Sequence, residues 1–351
     1  MPLAHSGLGG IAATDKYVIF GDRDLDDFQD VFRCHDAKTG KLLWQTQTLA
    51  IGKLDYGNSP RATPLIDGQR AFLLGAFGHL TAVKLATGEV IWKRDFRDEF
   101  GVNAELPWGF CGSPLLVDGK LIVQPGGPKA SLVALEPATG KTIWQTAGRG
   151  PSHGSLLAGR FGGRLQIVGH DATTLGGWDP ASGKRLWETK PAIAGDFNVP
   201  TPVNIGGKLL ITTENNGTRL YEFGEDGTIN AEPVATSRRF APDMSTPVAV
   251  GDRVFGVHRM FIGLDAADGL KQIARLRDEA LGDYGSVIAS GTKVLVVGKG
   301  ELLLIDARDR PRITSRLRVF DDDVTIYSHP AIAGKRLFIR GESSLRCLAL
   351  E

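Results

Sequence analysis

The sequence predicts an all-β fold, namely an eight-bladed β-propeller of four-stranded antiparallel blades. Three observations predict it. A Thr-Gly or Ser-Gly turn stands four residues before a tryptophan in four places, related units recur with a period of about 46 residues, and no segment has a helical periodicity. The paired residues are Gly40 with Trp44, Gly88 with Trp92, Gly140 with Trp144, and Gly183 with Trp187. A repeat of this length is typical of one propeller blade per unit.

Each unit contains the signals of four strands in a fixed order. A short first strand, such as residues 62–66, follows a Ser/Thr-x-Pro start, and a tight turn such as Asp67-Gly68 leads into a β-branched second strand. Glycine and aspartate supply the positive φ that two-residue hairpins require. A third strand then turns through the Thr-Gly phrase into the tryptophan strand. We expect each tryptophan to lie on this outer strand and to pack on the next blade.

Eight such units fill the chain, which we interpret as one propeller domain over residues 1–351. The units start near residues 10, 59, 109, 152, 198, 243, 284 and 327. The eighth unit has room for only three strands, so we expect the last blade either to be closed by an N-terminal strand or to lack one. Because only residues 1–8 are available for that strand, we expect a longer natural N-terminus that includes an export signal absent from this chain.

The composition excludes several classes of partner. Lys plus Arg number 41 and Asp plus Glu number 40, so no overall field favours nucleic acid or an anionic membrane. No apolar run reaches the roughly 20 residues that span a bilayer, and residues 1–10 do not have the pattern of a signal peptide. The three cysteines lack the spacing of a zinc site and are interpreted as small buried side chains, with a Cys34–Cys347 disulfide as an open alternative.

The run DAKTGKLLWQT at residues 36–46 returns as EPATGKTIWQT and DPASGKRLWET. It resembles the repeat of the PQQ-like β-propeller family, which includes quinoprotein alcohol dehydrogenases and the lipoprotein that assists outer-membrane protein assembly. The resemblance extends over essentially the whole chain and implies eight blades and an exported, periplasmic protein. In many of the quinoproteins PQQ lies near a Ca²⁺ ion and an adjacent Cys-Cys pair. This chain has no adjacent cysteines.

The function that we predict is therefore a non-catalytic scaffold, without a cofactor and monomeric, that binds a protein partner or a small polar ligand outside the cytoplasm. The alternative is an enzyme, either a quinoprotein dehydrogenase that uses PQQ and Ca²⁺ or a hydrolase or lyase that uses side chains of the central funnel. Fold alone does not decide between these classes, because the repeated residues form the scaffold.

Candidate ligand-binding residues come from the loops of variable length, which share one face of a propeller. Each candidate stands in a segment that leads into a predicted inner strand, where it would ring the funnel. They are His5, Tyr56, Asn58, Trp108, Phe110, His153, Asn198, Asp243, Tyr284, Tyr327 and His329. Aromatic rings with hydrogen-bonding groups at a concave mouth suit a sugar, a peptide or another small polar ligand. The alternative interpretation of this ring is an ordinary hydrated channel.

Two groups of residues could hold a metal ion. The acidic run at residues 21–30 contains Asp22, Asp24 and Asp26, followed by Asp27 and Asp30, and its alternating carboxylates resemble a calcium loop. It departs from the EF-hand form at its sixth and twelfth positions, so a solvated acidic loop is the competing interpretation. His5, His153 and His329 could also meet at the propeller axis, although nothing in their spacing requires it.

Overall fold

A computed structural model describes residues 3–282, 284–321 and 326–350. These residues form an all-β, eight-bladed propeller whose blades are antiparallel sheets, seven with four strands and one with three. Within each sheet the strands pair in chain order. The predicted fold class is therefore confirmed.

The strands divide between two compact units. Unit 1 comprises Met1–Pro151, Ala181–Gly183 and Tyr327–Glu351, and unit 2 comprises Ser152–Pro180 and Lys184–Ile326. Blades 1, 2, 3 and 8 belong to unit 1, and blades 4 to 7 belong to unit 2. That the whole chain is one domain stays a prediction.

The strands of unit 1 are as follows. Blade 1 contains β1 (Ala12–Ala13), β2 (Tyr17–Arg23), β3 (Gln29–Asp36) and β4 (Leu42–Leu49). Blade 2 contains β5 (Leu65–Asp67), β6 (Arg70–Leu74), β7 (His79–Lys84) and β8 (Val90–Asp95), followed by helix α1 (Phe96–Phe100). Blade 3 contains β9 (Leu115–Val117), β10 (Lys120–Val123), β11 (Leu132–Leu135) and β12 (Thr142–Thr146).

Unit 2 contains the next four blades. Blade 4 contains β13 (Leu157–Phe161), β14 (Arg164–His170), β15 (Leu175–Trp178) and β16 (Arg185–Thr189). Blade 5 contains β17 (Val203–Ile205), β18 (Lys208–Thr213), β19 (Gly217–Tyr221) and β20 (Ala235–Ser237). Blade 6 contains β21 (Val248–Val250), β22 (Arg253–Val257), β23 (Phe261–Asp265) and β24 (Lys271–Leu276). Blade 7 contains β25 (Ser286–Ser290), β26 (Lys293–Val297), β27 (Glu301–Asp306) and β28 (Arg312–Arg318).

Blade 8 returns to unit 1 and contains β29 (Ala331–Ala333), β30 (Arg336–Arg340) and β31 (Leu345–Ala349). Among the described residues no fourth strand pairs with β31. The segment that precedes β1 takes another course, in which the Leu3 amide donates to the Ser343 carbonyl at 2.9 Å and the Ile11 amide donates to the His329 carbonyl at 3.1 Å. Of the two expected arrangements, the described sheet is therefore the one that lacks an N-terminal strand.

The core lies between neighbouring blades, where apolar side chains of the second and third strands meet. Between blades 2 and 3, for example, Phe72 and Leu80 pack in one cluster with Leu121 and Val133, and all four side chains are fully buried. Each such side chain stabilises the fold by about 1.5–3 kcal/mol through its removal from water. Strands that are buried on both faces explain why the sequence of each unit is rich in branched apolar residues.

The tryptophans pack on the following blade, as predicted. The indole of Trp44 lies against Gly88, and its Nε1 donates to the Leu85 carbonyl at 2.8 Å. Trp92 repeats this contact one blade later, where its Nε1 donates to the Pro137 carbonyl at 3.0 Å. Each contact therefore combines buried aromatic area with a satisfied N–H group.

Blade 4 uses a longer connection. The Trp187 Nε1 donates to Gln166 Oε1 at 2.7 Å, and Gln166 Nε2 in turn donates to the carbonyl of Gly227 in blade 5 at 2.7 Å. Gln166 is fully buried. A side-chain amide thus replaces the direct bond from the indole to a backbone carbonyl.

The sequence did not predict the short helix α1. Asp95 begins it, because its carboxylate accepts the amides of Arg97 at 2.9 Å and Asp98 at 3.2 Å, and Gly101 ends it with φ of 64°. Five residues are too few to show a helical periodicity in the sequence. Among the described residues no helix has the length and apolarity needed to cross a bilayer.

Candidate functional site

The connection between β2 and β3 presents two apolar side chains to solvent. Asp24 shapes this loop, since its Oδ1 accepts the backbone amides of Phe28 and Gln29, both at 2.8 Å. The side chain of Leu25 is 86% exposed and that of Phe28 is 54% exposed. The two apolar groups therefore stand in water on a loop that its own hydrogen bonds hold.

The end of β4 and the segment after it carry two more exposed apolar side chains. Leu49 is 63% exposed and Ile51 is 66% exposed. The Ala50 amide donates to the Phe28 carbonyl at 2.9 Å, so the two loops are joined through their backbones. We call Leu25, Phe28, Leu49 and Ile51 the blade 1 apolar patch.

A buried arginine forms hydrogen bonds with both segments that carry the patch. The Arg23 guanidinium, which is fully buried, donates to Asp27 Oδ1 at 2.7 Å, to Asp30 Oδ1 at 2.8 Å and to the Ala50 carbonyl at 2.9 Å. It thereby connects both loops of the patch to β3. Burial raises the pKa of Asp30 to about 6, although Arg23 acts in the opposite direction.

Asp22 anchors the N-terminal segment. Its carboxylate pairs with the fully buried Arg340 at 3.1 Å and with Arg33. It also accepts the amides of Ala4 at 3.2 Å and His5 at 3.3 Å. Both carboxylate oxygens therefore already have partners from the protein.

The structure gives the three predicted calcium ligands different roles. Asp22 is buried in ion pairs, Asp24 orders the β2–β3 loop, and Asp26 is exposed. Within the described ranges, no three or more His, Cys, Asp or Glu side chains are placed to hold a metal ion. His5, His153 and His329 are likewise not part of such a group.

The loop of residues 50–64 contains two of the predicted ligand-binding residues. Asn58 serves the loop itself, because its Nδ2 donates to Asp27 Oδ2 at 2.6 Å and its Oδ1 accepts the Leu54 amide at 2.9 Å. Tyr56 is 64% exposed, and its ring centroid lies 6.2 Å from that of Tyr327 in an edge-on arrangement. Tyr56 and Tyr327 are thus brought together, whereas Asn58 is used in holding the loop.

The remaining predicted residues of unit 1 are placed as follows. The imidazole of His5 forms a hydrogen bond between its Nε2 and the Asp24 carbonyl at 2.9 Å. Trp108 is partly buried, and its carbonyl accepts a hydrogen bond from Cys111 Sγ at 3.3 Å. Phe110 is buried in the core. Burial lowers the pKa of His329, which favours a neutral ring.

In unit 2 the predicted residues form local contacts. The rings of His153 and Phe197 lie 5.3 Å apart, and burial lowers the pKa of His153. Asn198 Nδ2 donates to the Asp171 carbonyl at 3.2 Å. The Tyr284 hydroxyl lies 3.0 Å from Ser286 Oγ. Asp243 Oδ1 is buried and has no hydrogen-bond partner among the described residues.

A separate groove of about 280 Å³ lies on blade 2 beside the end of β4. It is lined by Thr48, His79, Leu80, Thr81, Lys93, Arg94, Asp95 and Glu99. Arg94 pairs with Glu99 there, and His79 Nε2 lies 3.4 Å from Asp95 Oδ2. None of these residues was predicted to form a site.

The blade 1 apolar patch was not among the predicted sites. A signal was present in the sequence. Leu25 and Phe28 are the two apolar residues of the acidic segment 24–30, which reads DLDDFQD. We interpreted that run through its carboxylates alone. The second half of the patch, Leu49 and Ile51, is distant in sequence and joins the first through the pairing of Gln29 with Leu49 and the hydrogen bond from Ala50 to Phe28.

Two solved structures share the fold over nearly the whole chain. BamB from Moraxella catarrhalis has 16% identity and a TM-score of 0.66, with 98% of this chain and 94% of that chain covered. Quinohemoprotein alcohol dehydrogenase from Comamonas testosteroni has 10% identity and a TM-score of 0.65, with coverage of 99% and 75%. At these identities the likeness shows the propeller fold alone.

The sequence comparisons go further. A curated relative, outer membrane protein assembly factor BamB of Shewanella oneidensis, is 24% identical over 219 residues, which cover 56% of this chain and 51% of the relative. The matched part thus spans about half the length of that relative. The profile of a family described as outer membrane protein assembly factor BamB matches residues 27–274. With the repeats, the blades and this match over most of its length, the chain belongs to that PQQ-like β-propeller family.

Proposed function

We propose that this protein is a non-catalytic, monomeric scaffold that binds a protein partner outside the cytoplasm, in the assembly of outer-membrane proteins. The family match and the Shewanella relative support the type of process. The observation that carries the proposal is the blade 1 apolar patch, which offers a partner a defined surface.

Four large apolar side chains on two joined loops are unusual for a surface that meets only water. Single exposed leucines are common, whereas several exposed apolar side chains on two joined segments favour an interaction surface. The patch is also held in advance by Arg23 and by the Ala50–Phe28 hydrogen bond. A surface that is ordered before binding loses less entropy in the complex, which favours affinity.

The charges at the border of the patch indicate the chemistry of the partner. Asp26 is exposed, and Asp24 and Asp27 are partly exposed, whereas Arg23 beside them is buried and paired. The border on the β2–β3 loop is therefore acidic. A segment that combines leucine, isoleucine or phenylalanine with lysine or arginine would bury its apolar groups on the patch and place its cations beside these carboxylates.

Site-specific photocrosslinking in the producing cell tests this proposal. A photoreactive amino acid replaces Phe28 in one variant and Ile143 in a control variant, because Ile143 is 48% exposed on β12 and lies outside the patch. We expect the Phe28 position to capture a component of outer-membrane protein assembly, identified by mass spectrometry, and the Ile143 position to capture much less. Equal capture at both positions, or none at Phe28, would contradict the proposal.

The enzymatic alternative depends on residues that could hold Ca²⁺ beside PQQ. The three acidic candidates do not fit that ion, because Asp22 and Asp24 engage separate partners, Asp26 is exposed, and the three form no common set of ligands. We therefore derive no reaction step through PQQ and propose a protein that works without it.

A further inference from the structure

The turn at residues 54–57 places a tyrosine where glycine is usual. The Gly57 amide donates to the Leu54 carbonyl at 3.3 Å, which closes the turn, and Tyr56 is its third residue, with φ of 63°. Glycine or asparagine usually occupies such a position, because a bulky side chain in the left-handed region strains the backbone. The surrounding structure must offset this strain.

Burial of the ring does not explain why Tyr56 stands there. Leu270 also has a positive φ, of 60°, but its side chain is 2% exposed and packs in the apolar core between blades 5 and 6. The side chain of Tyr56 is 64% exposed. Strained residues are concentrated at functional sites, where the strain is retained for the sake of the side chain. Tyr56 is therefore a candidate for contact with another molecule.

Arg61 holds the strained turn on both sides of Tyr56. Its Nη2 donates to the carbonyls of Asp55 and Gly57, both at 2.7 Å, and its Nη1 donates to the Ser59 carbonyl at 2.6 Å. The backbone amide of Asp55 in turn donates to a carbonyl of the next blade connection, at 2.8 Å. The turn is thus ordered in advance, so the loop loses less entropy when a ligand binds.

Tyr56 has a second aromatic ring and a carboxylate as neighbours. The ring centroids of Tyr56 and Tyr327 lie 6.2 Å apart, with an interplanar angle of 64°. Asp55, directly before Tyr56 in the chain, is exposed, and no described residue forms a hydrogen bond or an ion pair with its carboxylate. We call Tyr56, Tyr327 and Asp55 the tyrosine site.

The charges near the tyrosine site favour a cationic ligand. Asn58 joins the turn to the acidic β2–β3 loop, because its Nδ2 donates to Asp27 Oδ2 at 2.6 Å. Lys53 is exposed, whereas the Arg61 guanidinium is engaged with three backbone carbonyls. The carboxylates that reach solvent on the two loops outnumber these cations, and they belong to Asp24, Asp26, Asp27 and Asp55.

An arginine side chain fits this combination better than a neutral ligand does. A guanidinium group stacks on aromatic rings and forms paired hydrogen bonds with a carboxylate. A sugar would need several polar groups with free hydrogen-bonding capacity. Asn58 and Arg61 use theirs within the loop, since Asn58 accepts the Leu54 amide at 2.9 Å and donates to the Gly52 carbonyl at 3.1 Å.

We propose that the tyrosine site binds an arginine side chain of the same partner whose apolar residues cover the blade 1 apolar patch. This inference rests on the proposed function and assigns a position to one basic residue of that partner. The patch and the site adjoin, since Ile51 lies in the segment that leads to Tyr56 and Asn58 bonds the turn to the β2–β3 loop. Charge complementarity with the acidic loops selects a basic segment.

Thermal denaturation separates a ligand-binding role of Tyr56 from a structural one. Tyr56→Gly removes the ring and the strain together, so we expect its melting temperature to lie no more than about 2 °C below that of the wild type. Leu270→Gly, at a similar φ in the core, should lower the melting temperature by several degrees. An equally large fall for Tyr56→Gly would show that the ring stabilises the fold, and it would overturn the proposal.

Two small peptides test the class of ligand. The probe is acetyl-Gly-Arg-Gly-amide, and its control contains citrulline, which has nearly the shape of arginine without the charge. The chain has 5 tyrosines, so ring-labelled tyrosine gives few NMR signals, and Tyr56→Gly identifies the signal of Tyr56. We expect the arginine peptide to shift that signal with a dissociation constant of roughly 1–10 mM, and the citrulline peptide to bind about tenfold more weakly. Equal binding of the two peptides, or no shift with the arginine peptide at about 50 mM, would contradict the proposal.

Photocrosslinking in the producing cell connects the tyrosine site to the partner. With the photoreactive amino acid at Phe28, Tyr56→Gly should lower the capture of the partner severalfold, whereas Ile143→Ser, at an exposed position of β12, should preserve it. Undiminished capture with Tyr56→Gly would overturn this inference and leave the proposed function intact. No capture at Phe28 in the otherwise wild-type chain would overturn the proposed function, and this inference with it.

Discussion

Gly88 lies directly against the indole ring of Trp44, so that the turn of blade 2 and the outer strand of blade 1 meet without an intervening side chain. Gly40 holds the same position in the turn of blade 1, but among the described residues no atom lies within 4 Å of a Cβ added there. The φ angles of the two glycines are 72° and 69°. The pair therefore separates the cost of a left-handed backbone from the cost of disturbing the indole contact.

Replacement of each glycine by alanine measures these two costs. Gly40→Ala should lower the free energy of unfolding by about 1–2 kcal/mol, the strain of alanine in the left-handed region. Gly88→Ala should lower it by about 1–3 kcal/mol more, because the added methyl group displaces the ring. Urea denaturation of both variants checks the difference. Equal losses would show that the ring moves away freely.

Arg23 should be among the most sensitive positions of blade 1. Arg23→Met removes the partner of the buried Asp30 and the hydrogen bonds to Asp27 and Ala50 in the loops of the patch, so we expect a loss of about 3–5 kcal/mol in unfolding free energy. The double variant Arg23→Met with Asp30→Leu should recover part of that loss, since no buried charge is left alone. Chemical denaturation of the single and double variants tests this. A double variant less stable than the single one would contradict the role assigned to Arg23.

The blade 1 apolar patch should matter for binding and not for folding. We expect Leu25→Ser together with Phe28→Ser to change the free energy of unfolding by no more than about 0.5 kcal/mol, because both side chains are exposed. Crosslinking to the partner from Ile51, the neighbouring patch position, should fall severalfold in the same variant. Undiminished crosslinking from Ile51 would place the partner elsewhere.

His170 should make the stability of the protein depend on pH. Burial, with a smaller effect from Arg219, lowers its pKa to about 4 in the folded chain, while the unfolded chain has the ordinary value near 6.5. Between these values the unfolded state binds the proton and the folded state does not. Stability should therefore fall as the pH decreases from about 6.5 to about 4, by up to about 3 kcal/mol, and His170 should add no further change below that.

Urea denaturation at two pH values measures this effect. One is pH 7.5, which lies above both pKa values of His170, and the other is pH 4.5, which lies just above the folded-state value. His170→Gln should reduce the pH dependence. The comparison of variants is required because Asp30, with its raised pKa, acts in the opposite direction over part of the range. The same pH dependence in wild type and His170→Gln would refute the assignment.

Addition of PQQ and Ca²⁺ tests the enzymatic alternative directly. Because the three acidic candidates do not form a common set of ligands, we expect no quinone absorbance to remain after desalting and no reduction of dye with an alcohol or a sugar. Quinone that stays bound, together with turnover, would reverse the assignment of a non-catalytic scaffold.

The fold was predictable because each blade corresponds to one copy of a sequence repeat. The turn glycine and the tryptophan are required at fixed spacing by the contact between blades, as Gly88 and Trp44 show, so their recurrence reports the architecture. The helix α1 was not predictable in this way, since it is a single short insertion held by Asp95 and Gly101.

The roles of the individual residues in the candidate site were harder to predict from the sequence. An aspartate at position 22, 24 or 26 looks the same in sequence whether it binds an ion, accepts backbone amides or pairs with an arginine. The partner of Asp22 is Arg340, at the other end of the chain, and no local pattern connects them. In the same way, Asn58 stands where a ligand-binding residue would stand, and only its bonds to Asp27 and Leu54 show that it holds its own loop.

Gln166 has a consequence for how the blades of unit 2 could diverge. In blades 1 and 2 the indole N–H donates directly to a backbone carbonyl of the next blade. The turn of that next blade must therefore hold this carbonyl within hydrogen-bond distance of the indole. In blade 4 the glutamine spans that distance with a side chain that can rotate, which relaxes the demand on the turn beside it. Because Gln166 connects Trp187 to blade 5 through a side chain, the turn of blade 5 can change its sequence while the contact between the two blades is kept.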